Sequence, residues 1–152
     1  GFPLIEGRHK HQMSLHVQHL DPNVPLPMRQ TEGSGGYDIH SRTGYIIPCG
    51  ERACIETGIA VKIPDGYVGI LKTRSSMALK SVDVQGGVID SDYTGEIKVI
   101  LSNASPTDAY HIKAHQRIAQ LLVIPVFTGP VSRLDSLDAT KRGSGGFGST
   151  GA

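Results

Sequence analysis

The sequence predicts a single all-β domain, and three observations carry that prediction. The 152 residues fit one domain with a modest core. Glycine and proline are frequent, at 19 and 9 residues, while hydrophobic residues make up 38% of the chain, and this composition favours short strands and turns over long helices. Short apolar or alternating runs follow one another along the chain, separated by turn sequences.

The N-terminal residues are predicted to lie outside the domain. "IEGR" at residues 5–8 has the form of a protease-recognition tag and Met13 would be a natural start, so residues 1–12 are interpreted as an added segment. The stretch "LDPNVPLPMRQTEGSGG" is too rich in proline and glycine for a helix. Several histidines precede the first predicted strand and therefore do not indicate a metal site; they are His9, His11, His16 and His19.

Five short runs are predicted to form strands. They are "YIIP", "ACIETGIAVKIP", "YVGIL", "EIKVILSN" and "IAQLLVIPVF", and turn sequences such as "CGE", "PDG" and "NASPTD" separate them. Only "SSMALKS" around Met77 has the composition of a helix, of two turns at most. Because apolar density falls from about Thr128, we expect a β domain over residues 13–127 and a C-terminal arm over residues 128–152.

Charge, hydropathy and cysteine usage exclude several classes of protein. The net charge of +1 gives no overall attraction to nucleic acid or membrane, so any anion site must be local. No apolar run approaches the roughly 20 residues that span a bilayer, and the N-terminus lacks a signal-peptide core. We expect a soluble protein of the cytoplasm or nucleus that is not secreted. Cys49 and Cys54 are too few for a disulfide framework and make a poor zinc site, and they are interpreted as reduced core or turn residues.

Two segments in the first half of the chain are candidate functional sites. In "GGYDIHS", Asp38 follows two glycines at the expected start of the sheet, where an Asp either caps a turn or has a functional role. In "KTRSSMALKS", Arg74, Ser75 and Ser76 lie between a strand and the short helix. Backbone N–H groups, two hydroxyls and a guanidinium would make a phosphate cradle there. The alternative is an ordinary serine N-cap beside a solvated arginine.

Two further segments place polar side chains within apolar strands. In "GGVIDSDYTGEIKV", Asp90 follows an apolar pair on a predicted rigid hairpin, with Tyr93 near the turn. A carboxylate fixed on a strand end in this way could activate a water, although "DSDYTG" could also be only a hairpin turn. In "RIAQLL", Gln120 interrupts an apolar strand, and a buried glutamine must form hydrogen bonds with backbone or with a ligand.

The segment "RGSGGFGSTG", from Arg142 to Gly151, places Phe147 among five glycines. The segment offers a cation, the hydroxyls of Ser149 and Thr150, approachable backbone N–H groups and one aromatic face. These groups together suit a polyanion that carries an aromatic base. A flexible Gly/Ser tail is the alternative interpretation.

These five segments resemble, in order and spacing, the five motifs of the deoxyuridine triphosphatases (dUTPases). The resemblance covers roughly residues 24–151 and depends above all on "RSS", "GVIDSDYTGEI", "RIAQL" and "RGSGGFGSTG". It implies a jelly-roll-like β fold with one short helix and a homotrimer with shared active sites. It also implies hydrolysis of magnesium-bound dUTP to dUMP and pyrophosphate, which limits uracil incorporation into DNA and supplies dUMP for dTMP synthesis.

The resemblance also implies a role for each motif residue. Asp90 would orient and deprotonate the attacking water, and Asp38 would hold Mg²⁺ through water. The residues that would bind the phosphates are Arg74, Ser75, Ser76, Gln120, Arg142, Ser149 and Thr150. The residues that would bind uracil and deoxyribose are Gly87, Val88, Ile89, Tyr93 and Phe147, with Phe147 stacked on the base and Tyr93 excluding a 2′-hydroxyl.

One departure from the motifs and two alternative functions remain. His115 stands where the family usually has glycine, and a non-glycine residue would cost about 1 kcal/mol there if its φ is positive. A deaminase of related fold would act on dCTP, but Tyr93, Phe147 and the complete glycine-rich arm favour the triphosphatase. A nucleotide-gated interaction module would use the same site to bind a regulator, and the retention of Asp90 favours catalysis.

Overall fold

A computed structural model describes residues 14–138 and 141–145. The predicted added segment at residues 1–12 and the predicted ligand contacts of Phe147, Ser149 and Thr150 lie outside the described residues. Within them the chain forms one helix, α1 (Ser75–Ala78), and ten strands. The strands are β1 (His16–His19), β2 (Tyr37–His40), β3 (Tyr45–Ile47), β4 (Arg52–Lys62), β5 (Tyr67–Lys72), β6 (Val82–Gln85), β7 (Val88–Ile89), β8 (Glu96–Asn103), β9 (Tyr110–Ile112) and β10 (Arg117–Pro125).

Two four-stranded antiparallel sheets form the body of the molecule. The strand order is β1-β4-β8-β6 in the first sheet and β2-β10-β5-β7 in the second, and β3 pairs with β9 in a small third sheet. Strands that are close in sequence therefore lie in different sheets. This arrangement is jelly-roll-like, as the family resemblance implied, and the prediction of an all-β domain with one short helix is confirmed.

The core lies between the two large sheets because each sheet buries one face. On β8 the side chains of Ile97, Val99 and Leu101 point inward and are at most 1% exposed, while the residues between them face outward. Ile39 and Leu121 of the second sheet are also fully buried and belong to the same cluster. The period of two along the apolar runs thus produces a single sandwich core.

The helix is shorter than its sequence permitted, and its cap differs from the one considered above. Met77 anchors the single turn in the core and is 1% exposed. The N-cap residue is Arg74, with φ −77° and ψ 143°, and no side chain caps the helix. Its carbonyl oxygen accepts hydrogen bonds from the N–H groups of Met77 and Ala78, both at 3.0 Å. The alternative of an ordinary serine N-cap is therefore wrong.

Strand β1 corrects the expectation that His16 and His19 precede the structured part of the chain. These residues pair with Lys62 and Ile59 of β4 at the edge of the first sheet. The strand escaped prediction because only Val17 is partly buried, so no apolar alternation marks it. Polar side chains on an edge strand also discourage pairing with further strands.

The two cysteines are free and exposed, and neither belongs to the core. Cys49 lies in the turn between β3 and β4, as one of the two interpretations of the sequence held. Cys54 lies on β4 with its side chain on the solvent face. In the part of the chain that the structure describes, no helix is long and apolar enough to cross a membrane.

Candidate active site

The predicted site residues of "GGYDIHS" and "RIAQLL" lie on two paired strands. Asp38 on β2 lies directly opposite Gln120 on β10, so both side chains project from the same face of the second sheet. Asp38 is only 3% exposed. Its carboxylate accepts a hydrogen bond from Nε2 of Gln30 and lies 3.7 Å from Nη1 of Arg117. The amide of Gln30 and the guanidinium of Arg117 thus stabilise this buried carboxylate, so it is not an isolated charge.

Gly36 makes room for Gln120. A Cβ atom on residue 36 would lie 2.9 Å from Oε1 of Gln120 and 3.1 Å from its Cβ, closer than real side chains pack. The glycine pair before Asp38 therefore does more than form a turn, because it lets the backbone of the motif approach β10. Gln120 itself is half-buried, so the prediction of a buried glutamine is only partly met.

Arg74 joins the same neighbourhood from the end of β5. Its Nη1 donates a hydrogen bond to the backbone carbonyl of Arg117, at 3.4 Å. Because Arg117 also lies beside Asp38, the predicted phosphate-binding arginine is anchored close to the predicted magnesium carboxylate. Ser75 and Ser76 follow on the exposed first turn of α1. We call Asp38, Arg74, Arg117 and Gln120 the Asp38 group.

His40 is a member of this neighbourhood that sequence reasoning did not single out. It is 8% exposed, pairs with Arg117 across the strands, and its Nδ1 is buried without a hydrogen-bond partner. Burial lowers the pKa of the His40 imidazole, and the charges of Arg117, His115 and Arg74 act in the same direction, whereas Asp38 opposes them. The fold therefore favours the neutral form of this imidazole.

Residues of the segment "GGVIDSDYTGEIKV" line a cavity of about 200 Å³. Asp90 is exposed there, immediately after β7, together with Gly87, Val88, Ile89 and Tyr93. Gly87 has φ +97°, and a Cβ atom on it would lie 2.9 Å from the backbone oxygen of Leu71. Its carbonyl accepts a 2.8 Å hydrogen bond from the N–H of Leu71. Only glycine allows this approach, which fixes the start of the segment that carries Asp90.

The predicted hairpin around Asp90 is not present in the described residues. Strand β7 pairs with β5 in the second sheet, whereas β8 pairs with β4 and β6 in the first. The segment "DSDYTG" therefore carries the chain from one sheet to the other and does not close a hairpin. A prediction from sequence alone favours pairing between neighbouring strands, and "DSDYTG" resembles a tight turn.

Tyr93 closes one side of the Asp90 cavity. Its hydroxyl donates a 2.7 Å hydrogen bond to the backbone carbonyl of Glu96, and its N–H donates to the carbonyl of Asp90 at 3.1 Å. The side chain is 44% exposed. The ring is therefore fixed at its far end while one face remains available for a ligand.

The predicted site residues fall into two separate groups within one chain. The lining of the Asp90 cavity contains no member of the Asp38 group. The motifs themselves do not show this division, although the family resemblance implied active sites shared between chains. Gln30 was also missed, because a glutamine eight residues before the carboxylate in a proline- and glycine-rich stretch carries no recognisable pattern.

The donors present fit a water-mediated magnesium site better than an all-protein one. Among residues 14–138 and 141–145, no group of three or more His, Cys, Asp or Glu side chains is arranged to hold a metal ion. Asp38 offers a single carboxylate, which matches the preference of Mg²⁺ for retaining several waters and taking further oxygens from phosphates.

Two remaining predictions concern backbone conformation and the glycine-rich segment. His115 has φ +66°, which confirms that this position favours glycine, and its N–H donates to the carbonyl of Ser41 at 2.9 Å. In the described part of the glycine-rich segment, Nε of Arg142 donates to the carbonyl of Gly145 at 2.7 Å. Both arginine and glycine there take part in a local turn.

Comparisons with known proteins agree on one family. The dUTPase family model matches residues 22–151. A deoxyuridine 5′-triphosphate nucleotidohydrolase of Paramecium bursaria Chlorella virus 1 is 45% identical over 139 residues, covering 91% of this chain and 98% of that protein. The enzyme of the same name from Oryza sativa subsp. japonica is 43% identical over 138 residues, with 90% and 80% covered.

Solved structures give the same result. The dUTPase of Staphylococcus bacteriophage 80alpha with dUPNHPP superposes with a TM-score of 0.85 at 30% identity, covering 93% of this chain and 100% of that one. A dUTPase variant from phage phi11 of S. aureus, whose structure concerns a structural Mg(II) ion, superposes with a TM-score of 0.78 at 26% identity, with 84% and 100% covered.

Proposed function

The chain belongs to the dUTPase family, and from this premise we propose that it hydrolyses dUTP to dUMP and pyrophosphate. The observation that carries the proposal is the match of the family over residues 22–151, which includes all five motifs. In the cell this reaction would limit uracil incorporation into DNA and supply dUMP for dTMP synthesis. The charge of +1 supports a small-molecule substrate over nucleic acid or a membrane surface, and the cytoplasm or nucleus is the proposed compartment.

Asp90 acts as the general base in this proposal. Its carboxylate takes a proton from a water whose oxygen forms a bond with the α-phosphorus, while the bond from that phosphorus to the pyrophosphate oxygen breaks. Its position supports the role, because Asp90 is exposed to the cavity while the preceding Ile89 is buried and anchors the strand.

The backbone of β7 reads the uracil. β7 is the outermost strand of the second sheet, so its edge away from β5 has backbone N–H and C=O groups to offer a ligand. The backbone groups of Gly87, Val88 and Ile89 that are not bonded to β5 can therefore donate to and accept from the edge of the base, while the Gly87 carbonyl stays bonded to the N–H of Leu71. Tyr93 packs against the deoxyribose, where a 2′-hydroxyl would collide, and Phe147 stacks on the uracil.

The triphosphate binds to basic and hydroxyl groups from three motifs. They are Arg74, Ser75, Ser76 and Gln120, together with Arg142, Ser149 and Thr150 of the C-terminal arm at residues 128–152. A guanidinium can bind two phosphate oxygens at once, which suits the partly buried Arg74. Asp38 would hold Mg²⁺ through water, and the bound ion would neutralise charge on the phosphate oxygens.

A homotrimer with shared sites explains why one chain separates the Asp38 group from Asp90. Neighbouring copies would bring the two groups together around one dUTP. Exposed apolar side chains support such an assembly, since Val88 is 67% exposed and Val131 is completely exposed in the single chain. Light scattering that gives the mass of a fully active monomer would contradict the trimer.

The experiment that tests the function is a nucleotide screen for pyrophosphate release. The purified protein is incubated with dUTP, dCTP, dTTP, dATP, dGTP or UTP, each with Mg²⁺ and with excess chelator. We expect release mainly from dUTP, far slower release from UTP and none from the other nucleotides, and much faster release with Mg²⁺. Deamination of dCTP, or no reaction with dUTP, would overturn the proposal.

A further inference from the structure

We propose that Glu96 is a positioning residue that sets the sugar selectivity of the enzyme by fixing Tyr93 against a bulge in β4. This inference rests on the proposed dUTPase function and on the role of Tyr93 in it. Glu96 was not among the predicted site residues, and its part in the site follows from a chain of hydrogen bonds between β4 and the segment 90–96.

The chain of contacts begins at an irregularity in β4. The pairing of β4 with β8 shifts between Glu56↔Lys98 and Ala60↔Glu96, so three residues of β4 lie opposite one residue of β8. Gly58 in this bulge has φ +71°, and a Cβ atom on it would lie 2.9 Å from Val24. The bulge turns the N–H of Gly58 out of the regular ladder, where it needs another acceptor.

The carboxylate of Glu96 is that acceptor. Its Oε2 takes a 2.8 Å hydrogen bond from the N–H of Gly58, across 38 residues of sequence. Gly58 is buried and Glu96 is half-buried, and a hydrogen bond to a charged acceptor is stronger than one between neutral groups. The bond therefore attaches the first residue of β8 to the bulge in β4.

The backbone of the same residue fixes the tyrosine. The hydroxyl of Tyr93 donates to the carbonyl oxygen of Glu96 at 2.7 Å. Gly95 lies under the ring, since a Cβ atom there would approach the hydroxyl oxygen to 2.6 Å. Gly95 thus limits the position of the Tyr93 ring on one side, and the Glu96 carbonyl fixes its hydroxyl.

A second bond holds the other end of the segment. The Nζ of Lys62, near the end of β4, donates to the backbone carbonyl of Ser91 at 3.0 Å. The segment that carries Asp90 and Tyr93 is therefore tied to β4 at both ends, by Lys62 and by Glu96. Because Lys62 is exposed, its bond is the weaker restraint.

This restraint matters because the Tyr93 ring can exclude the 2′-hydroxyl of a ribonucleotide only while the position of the ring is fixed. If the ring can shift outward, UTP gains the space for its 2′-hydroxyl and selectivity falls. Glu96 contacts neither the phosphates nor the attacking water in this scheme. Its loss should therefore change the preference between dUTP and UTP more than the turnover of dUTP.

The test compares Glu96→Ala and Glu96→Gln with the parent and with Glu51→Ala as a matched control. Glu51 is an exposed glutamate in the turn before β4 and has no place in the site. For each protein we measure kcat/KM for dUTP and for UTP, the thermal midpoint, and hydrogen exchange at the Gly58 amide. The glutamine keeps an oxygen that can accept from Gly58, so it separates a hydrogen-bonding role from a requirement for charge.

We expect Glu96→Ala to lower the ratio of the two kcat/KM values about tenfold, the order of loss when a positioned group is displaced by a fraction of an ångström. Exchange at Gly58 should accelerate in the same variant. Glu96→Gln and Glu51→Ala should stay within about threefold of the parent in both measurements. An unchanged ratio in Glu96→Ala, or an equal loss in Glu96→Gln, overturns the inference.

Two readouts distinguish this inference from the proposed function. Hydrolysis of dUTP by the parent tests the function without reference to Glu96. Exchange at the Gly58 amide tests the contact without reference to activity, and unchanged exchange in Glu96→Ala would refute it. If the alanine variant does not fold, the same measurements on Lys62→Met test the other end of the segment, where we expect a smaller loss of selectivity in the same direction; an unchanged ratio there would count against the inference.

Discussion

Asp90 is the side chain on which turnover depends in the proposed mechanism. Asp90→Asn preserves shape but removes the proton acceptor, so we expect kcat to fall about 10²- to 10⁴-fold while dUTP binding changes little. The measurement is single-turnover hydrolysis together with binding of a non-hydrolysable dUTP analogue. Asp92→Asn is the matched control, because Asp92 is an exposed carboxylate two residues away. Turnover of Asp90→Asn within a few-fold of the parent would remove Asp90 from this role.

His115 holds a backbone conformation that glycine adopts without strain. The φ of His115 is +66°, so His115→Gly should relieve strain and raise the free energy of unfolding by about 1 kcal/mol. The greater entropy of glycine in the unfolded chain should offset part of this gain. Denaturant unfolding measures the change. The same substitution at the neighbouring Ala114, which is not among the described residues with positive φ, should destabilise the protein by about 0.5 kcal/mol. If both variants lose stability equally, the strain at His115 is absent.

The role of a single residue could be predicted where the residue lies in a recognisable motif. It could not be predicted where the role depends on contacts with residues distant in sequence. Asp38 and Gln120 could be identified from their motifs, and they do lie opposite each other. Gln30 and Glu96 could not, because their roles depend on partners brought together by the fold. His40 lies inside a quoted motif, yet only its burial beside Arg117 distinguishes it from a surface histidine.

At the scale of elements, apolar strands were predictable and short polar ones were not. The five apolar runs correspond to β3, β4, β5, β8 and β10, so those predictions are confirmed. Strands β1, β6 and β9 have only three or four residues, too few for a periodic apolar pattern to identify them, and pairing with neighbouring strands stabilises them. The sheet to which each strand belongs depends on long-range packing that local patterns do not contain.

The glycine-rich segment at residues 142–152 should serve activity and not stability. Its deletion should leave the thermal midpoint unchanged, because a stretch of glycines and small polar residues contributes little buried apolar area. Hydrolysis of dUTP should collapse with the loss of Phe147 stacking and of the phosphate contacts. Differential scanning calorimetry and a pyrophosphate assay give the two results. If the shortened protein hydrolyses dUTP at nearly the parental rate, the segment is only a flexible tail.

Phe147→Ala provides the matched point substitution for that deletion. Stacking of a base on an aromatic ring is worth about 1 to 3 kcal/mol, so we expect kcat/KM to fall roughly 5- to 150-fold. Phe127→Ala is the control, since Phe127 is an exposed phenylalanine before the arm that has no proposed contact with the base. Equal losses in the two variants would argue against a specific stacking role.

At the scale of the whole molecule, His40 couples stability to pH. Its pKa is lowered in the fold, so between that value and about 6.5 the unfolded chain binds the proton more readily. Stability is then complete above pH 6.5 and declines as the pH falls, by at most about 1.4 kcal/mol per pH unit. Chelator-treated protein, parent and His40→Gln, is unfolded in denaturant at several pH values. The exposed His111→Gln is the control, and an unchanged pH dependence in His40→Gln would contradict the prediction.

The division of the site between the Asp90 cavity and the Asp38 group has a genetic consequence. If the proposed homotrimer shares its sites between chains, two defective alleles, one encoding Asp90→Asn and the other Arg74→Gln, should complement each other when coexpressed, because each site would draw one intact residue from each kind of chain. With random mixing, about a quarter of the sites would be intact. Activity recovered from the mixture, compared with either variant alone, measures this fraction. No recovery would mean that both residues of each site come from one polypeptide.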